Sequence, residues 1–185
     1  MNTSNATFMV AWLAAAATAF GLAVASPSES SVMGEIAPFE ARTLANQSVA
    51  MPQGLPSGRT LALITFSKAQ HRQAESWVEG MNLRHDSSIA WMHMPVIQDP
   101  GTPQGRTVIE TKLRGHYVGD GEHARLLPAF VDLARFTRAA GLTNRQAGYA
   151  VVLNQRGEVL ARVEGQFNAD KAQALRETLA GTEHF

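Results

Sequence analysis

Cysteine is absent from this 185-residue chain. That excludes a disulfide framework, a cysteine-type zinc site, an acylated lipoprotein cysteine and every reaction that runs through a thiolate. Net charge is missing too, because 16 Lys+Arg balance 16 Asp+Glu. Affinity for nucleic acid rests largely on neutralising phosphates, so a balanced surface argues against nucleic acid as a partner. No polybasic run suggests recruitment by anionic lipid. The sequence also lacks a P-loop, a dinucleotide fingerprint and a GxSxG elbow. What is present is 45% hydrophobic residues, enough for the core of one domain plus a segment outside it.

Charge is lacking again at the start, where residues 1–25 carry no ionisable side chain. An apolar run from Phe8 ends in Ala23-Val24-Ala25, followed by the polar Ser26-Pro27-Ser28-Glu29-Ser30. Small residues three and one places before a break suit signal peptidase, which predicts cleavage between Ala25 and Ser26. A leader normally opens with Lys or Arg, and here only the α-amino group is positive. The run is about long enough to cross a bilayer, so the other reading is an uncleaved N-terminal anchor, the only membrane contact expected. Either way, the folded part is expected outside the cytoplasm, in the periplasm or its equivalent, and the lack of cysteine is compatible with that compartment.

Residues 26–41 are rich in Ser, Pro, Glu and Gly and read as a solvated linker, leaving 42–185 as the domain. Two short segments around Asn46-Gln47-Ser48 suggest a hairpin. Thr60–Phe66 is almost continuously apolar, as a central strand covered on both faces would be. Ser67, with Gln70 three residues later, has the spacing of a capping box. Ala74, Trp77, Val78 and Met81 follow at helical spacing and predict a stripe packed on the sheet. A second strand is expected over 87–97, a short helix over 106–113, and a third strand over 126–132. Asp132 should cap a helix stopped by Gly141, with Leu142 folding back on it. A fourth strand over 148–153, a turn at Asn154–Gly157 and an alternating strand over 158–164 form the final hairpin. Asn168 should cap the last helix, whose buried stripe is Ala172, Leu175 and Leu179. The order β-α-β-α-β-α-β-β-α gives an α/β fold with a mixed sheet and helices on both faces.

Two stretches resemble the thioredoxin superfamily: Thr60–Met81, and the run from Phe130-Val-Asp132 through Ala140-Gly-Leu142 to Ala150–Val159 with Gly165 beyond. The latter run is similar to that family's strand, Asp, helix ending in Gly-Leu, and hairpin turning at Gly. Ser76-Trp77, Arg138–Leu142 and Thr143–Tyr149 are most similar to the thiol-free group around the mitochondrial ATP-synthase assembly factor and its bacterial periplasmic relatives. The likeness covers about residues 42–181. It implies a thioredoxin-like fold and a protein that binds another protein or helps assemble it, with a membrane complex such as ATP synthase as client. Thiol-active relatives carry their cysteines where the first long strand runs into its helix; this chain has Ser67–Ala74 there. The family's cis-proline should fall near Gly148 or Tyr149, and neither neighbour is proline. None of the redox function carries over.

His71 stands where a thiol would be, and backbone N–H groups there could hold a partner's carboxylate. With Ser67, Gln70, Tyr149, His116 and His123 it forms the candidate partner-binding set, at the rim of the groove that flanks the active site in this fold. Met92-His93-Met94 offers ligands suited to Cu(I), which makes an extracytoplasmic copper-binding protein the alternative function. On a strand, however, His93 points away from both methionines. His116, Asp120, Glu122 and His123 share a Gly-rich stretch (GHYVGDGEH) that matches no compact metal signature and reads as a solvated loop. Glu110 and Arg114 read as a surface helix pair, and Arg135, Arg138 and Arg145 as solvated. No cofactor is expected, and no thiol oxidoreductase or peroxidase activity.

Overall fold

The computed structural model describes residues 32–117 and 120–181. The expected leader or anchor, its Ala25–Ser26 cleavage point and the first part of the expected linker lie outside the described residues. The elements run β1 (Phe39–Arg42), β2 (Ser48–Met51), β3 (Arg59–Thr65), α1 (His71–Gly80), β4 (Trp91–Gln98), α2 (Pro103–His116), α3 (Asp120–Arg125), β5 (Ala129–Val131), α4 (Leu133–Ala139), β6 (Tyr149–Asn154), β7 (Val159–Glu164) and α5 (Ala169–Ala180).

Strands β3 to β7 form one mixed sheet in the order β5-β4-β3-β6-β7. The β3–β4 and β4–β5 pairs are parallel, and β3–β6 and β6–β7 are antiparallel. The apolar run of β3 is central, as its sequence predicts, and its alternate residues feed two cores. Leu61 and Leu63 face Trp77, Val78 and Leu175 of α1 and α5. Ala62 and Ile64 face Phe136 and Ala140 of the α4 region together with Ile36 and Met51. Helices therefore cover both faces. Among the described residues no helix is long and apolar enough to cross a membrane.

The local signals hold where the chain settles its own ends. Asp132 accepts a hydrogen bond from the Arg135 N–H at 2.7 Å, and Asn168 accepts one from Lys171 at 3.1 Å. Gly141 takes φ 65°, and the Leu142 N–H donates back to the Thr137 carbonyl at 2.9 Å, closing α4 as a left-handed cap. The second strand begins at Trp91 rather than at Ser87, because Asp86 accepts from the Ser88 N–H at 3.0 Å and holds that stretch in a turn.

Three expectations need correction. The stretch read as linker is built into the domain from Met33 onward. Met33 donates its N–H to the Val159 carbonyl at 2.8 Å, Ile36 donates to Gly157 at 2.7 Å, and Ile36 is only 1% exposed. Ile36, joined by Phe39 against the core, is enough when the exposed edge of β7 offers unpaired backbone groups. This segment meets the sheet at the ends where β3 starts and β6 finishes. A side chain at Gly141 would collide with the Met33 carbonyl, so the close approach requires glycine.

The Gly-rich stretch expected as a solvated loop is mostly helical. α2 continues to His116, and α3 occupies Asp120–Arg125. Its backbone is claimed by the hairpin: Leu44 donates to the Leu126 carbonyl at 3.0 Å and Ala45 to the His123 carbonyl at 3.2 Å. Tyr117, between the two helices, is 8% exposed and packs with Leu44 and Leu126. Glu110 is likewise no surface residue. It is the buried side chain of α2, and its Oε2 accepts from Arg42 Nη2 at 2.8 Å, with Arg114 3.9 Å away.

Candidate functional site

The carboxyl ends of parallel strands leave a crevice where helices start, and ligands favour such places. Here β3 ends at Thr65, the chain bends at Phe66 and Ser67, and a short 3-10 turn, Lys68–Gln70, leads into α1. Ser67 makes no side-chain cap, so the predicted capping box does not form. Gln70 acts instead. Its Oε1 accepts from the Phe66 N–H at 2.7 Å, and its Nε2 donates to the Arg145 carbonyl at 2.8 Å. Buried to 4% exposure, it is a strut between this turn and the segment leading to β6. Gln73, one turn on, accepts from the Gly148 N–H at 2.7 Å, tying the start of β6 to α1.

His71, the first residue of α1, lies among three rings from two other places in the chain. The centroids of His93, His116 and Tyr117 are 6.2, 5.4 and 4.9 Å from its own. His93 is deep in this group, 6% exposed, with Nε2 3.1 Å from Thr65 Oγ1. Burial, then the nearby His71, pushes its imidazole down to about 3, so it is neutral at any physiological pH. Partial desolvation, Lys68 and His71 also lower His116. Burial, with help from Glu122 and Glu75, raises the Tyr117 phenol to about 12. The Nδ1 atom of His71 is buried without a hydrogen-bond partner among the described residues.

Two cavities flank Phe66. One, of about 500 Å³, lies between α2 and the ends of β3 and β4, with Phe66, Ile97, Ile109 and Leu113 among its walls. The other, of about 700 Å³, lies on the far side of Phe66 against Leu133, Thr137 and Leu142. Arg138 and Arg145, exposed as expected, border the second; Lys68, Lys112 and His116 line the first. A shallower hollow formed by Lys68, Ala69, His71, Arg72 and His116 adjoins the first.

The predicted partner-binding residues thus divide. Ser67, His71 and His116 come together at the head of α1. Gln70 is there but buried. Tyr149 is 4% exposed and serves the interior, its hydroxyl 2.9 Å from Thr143 Oγ1 and accepting from the Asn144 N–H at 3.2 Å. Its position at the start of a central strand turns it inward, so it does not stand at the rim. His123 is on α3 with Nε2 2.7 Å from the Tyr117 carbonyl.

Met92 and Met94 fill the core on one face of β4, while His93 faces α1 on the other, as strand alternation requires. Among the described residues no three His, Asp or Glu side chains converge in a way that could hold a metal ion. Sequence reasoning missed Lys112 and Phe66. Lys112 and His116 are four apart, as are Ile109 and Leu113. That double ladder was readable, but a helix ended at 113 left His116 off it.

No protein-family model matches the sequence, and no relative is found among characterised proteins. Solved structures do match. BsSco, a member of the Sco family of cytochrome c oxidase assembly proteins, superposes with TM-score 0.52 at 12% identity, covering 78% of this chain and 91% of its own. The exposed lipoprotein thioredoxin Etrx1 of Streptococcus pneumoniae gives 0.51 at 12% identity, over 76% and 99%. A protein assigned as thiol:disulfide interchange protein DsbE of Chlorobium tepidum gives 0.51 at 16%, over 80% and 96%. The fold is thioredoxin-like, and it carries no cysteine.

Proposed function

We propose that this is an exported, redox-inactive thioredoxin-like protein that binds another protein at the head of α1 and thereby assists the assembly of a membrane complex. The observation that carries the reading is what occupies the thiol position. Ser67 and His71 stand there, Ser67 on the wall of an apolar cavity and His71 in the hollow adjoining it, with a more polar cavity beyond Phe66. Without sulfur chemistry, such a surface can serve recognition, and concave apolar walls with a few polar groups are what recognition uses. Assembly is a role already represented in this fold by BsSco's family. The likeness of Thr143–Tyr149 to the ATP-synthase assembly group points to that complex as client, and the apolar N-terminal run would supply export or tethering.

The test is site-specific photocrosslinking in native membranes, after the mature N-terminus has been mapped. A crosslinker at Ser67 should give a discrete adduct with one partner, and one at Gln173, exposed on α5, should not. His71→Ala and His116→Ala should lower the adduct yield several-fold. Equal labelling from both positions, or turnover of a dithiol or hydroperoxide by the pure protein, would overturn the reading.

A further inference from the structure

Protein interiors are close-packed, and an amphipathic helix normally fills the space beneath it with its own apolar stripe. α2 does not. Over 14 residues its one buried side chain is Glu110. Ile109 and Leu113 are only half-buried, and Val108 is 53% exposed. The helix is held from its other side by polar contacts to the β1–β2 hairpin. These are Arg42 to Glu110, Arg114 Nε to the Leu44 carbonyl at 3.0 Å, and Arg114 Nη2 to Asn46 Oδ1 at 2.9 Å. The cavity of about 500 Å³ is the space that α2 leaves open over the ends of β3 and β4. That size is within the range of sites for small organic ligands.

The polar lining is one-sided. Lys68 comes from the turn before α1 and Lys112 from α2, with His116 one turn beyond Lys112, and among the described residues no carboxylate lines the cavity. Arg72 adds a further positive charge in the adjoining hollow. Neither lysine has an ion-pair partner among the described residues, although the chain as a whole has equal numbers of acids and bases. Like charges gathered around an apolar cavity repel one another and keep their water unless an anion sits between them.

We propose that the cavity beneath α2 binds a small amphiphilic carboxylic acid, its apolar body against Phe66, Ile97, Ile109 and Leu113 and its carboxylate between Lys68 and Lys112. The cavity is one of those to which the partner-binding reading appeals, with Ser67 and His116 on its wall, but the ligand is held by the isolated chain, whether or not another protein docks outside.

Octanoate is the probe, with 1-octanol and octyltrimethylammonium as neutral and cationic matches of the same length. Each is titrated calorimetrically into the full chain and, in the same kind of preparation, into Lys68→Met/Lys112→Met, so that uptake outside the cavity cancels. Octanoate should bind on the order of 100 µM, consistent with the efficiency per atom of small ligands. Octanol should bind at least tenfold more weakly and the ammonium should not bind. The double substitution should erase the preference for octanoate over octanol. Leu113→Trp, which fills the cavity from a half-buried position, should abolish octanoate binding while leaving the circular dichroism spectrum unchanged. The proposal fails if octanoate and octanol bind equally to the unaltered chain, if neither binds, or if the lysine substitutions leave the preference intact. None of these results bears on crosslinking from Ser67, so the two readings fall separately.

Discussion

α1 and α2 begin near the same end of the same sheet, and both look amphipathic in sequence, yet they are held by different forces. α1 buries Ala74, Trp77 and Val78, and the Trp77 Nε1–H donates to the Gly165 carbonyl at 2.8 Å. α2 buries a carboxylate and leaves its aliphatic residues half in water. Apolar packing is strong and does not depend on direction, so α1 is framework. Charge-assisted hydrogen bonds hold α2 at particular points and leave its underside free. One helix is fixed by its apolar packing, and the other is held at a few polar contacts with the cavity beneath it.

The sharpest way to break this contrast is to remove its largest piece. Trp77→Ala should cost about 3–5 kcal/mol in urea unfolding, through lost burial and a residual cavity. Next is pH, which probes the ring cluster where the two helices meet. An unfolded histidine titrates near about 6.5, whereas folded His93 is pushed down to about 3. Above 6.5 both states are neutral and His93 contributes no pH dependence. As pH falls below that, the unfolded chain takes up a proton that the folded chain refuses. Stability should therefore decline at up to about 1.4 kcal/mol per pH unit until pH nears 3. His93→Gln should flatten that portion of the curve in denaturant titrations at pH 7, 5.5 and 4.

On α2 the expected effects are smaller. Glu110→Ala, which removes the buried anchor, should cost about 1–3 kcal/mol, with Glu110→Gln falling in between because it keeps one acceptor. Ile109→Ala should cost less than about 1 kcal/mol, since its side chain already lies half in solvent. A loss at Ile109 as large as that at Trp77 would erase the distinction between the helices.

The strands, caps and glycine stops were legible because each depends on neighbours in the chain. Asp132, Asn168 and Gly141 satisfy backbone groups three to five residues away, and Thr60–Phe66 announces its own burial. The ends of α2 and the existence of α3 were not, because Gly115 and Gly121 locally favour a loop. The backbone of Leu44 and Ala45, far away in sequence, makes that segment helical. The same applies to the site. His71 was marked by its place in the fold, but its ring neighbours His93, His116 and Tyr117 come from β4 and from the end of α2. Lys68 and Lys112 were similarly unremarkable until the fold set them across one cavity. Tyr149 shows the opposite error: a position at the start of a strand was read as a rim when packing had turned it inward.

The stitching of Met33 and Ile36 to Val159 and Gly157 has a geometric result. The polypeptide enters this body at the pole opposite Phe66 and the histidine rings, with the length of the sheet between them. Were the molecule held by whatever precedes Val32, the pole that carries Phe66 and the histidine rings would face away from the point of attachment, like a lamp on a stalk. Reach and orientation would then be decided by the mooring, and the strands would act as the spacer.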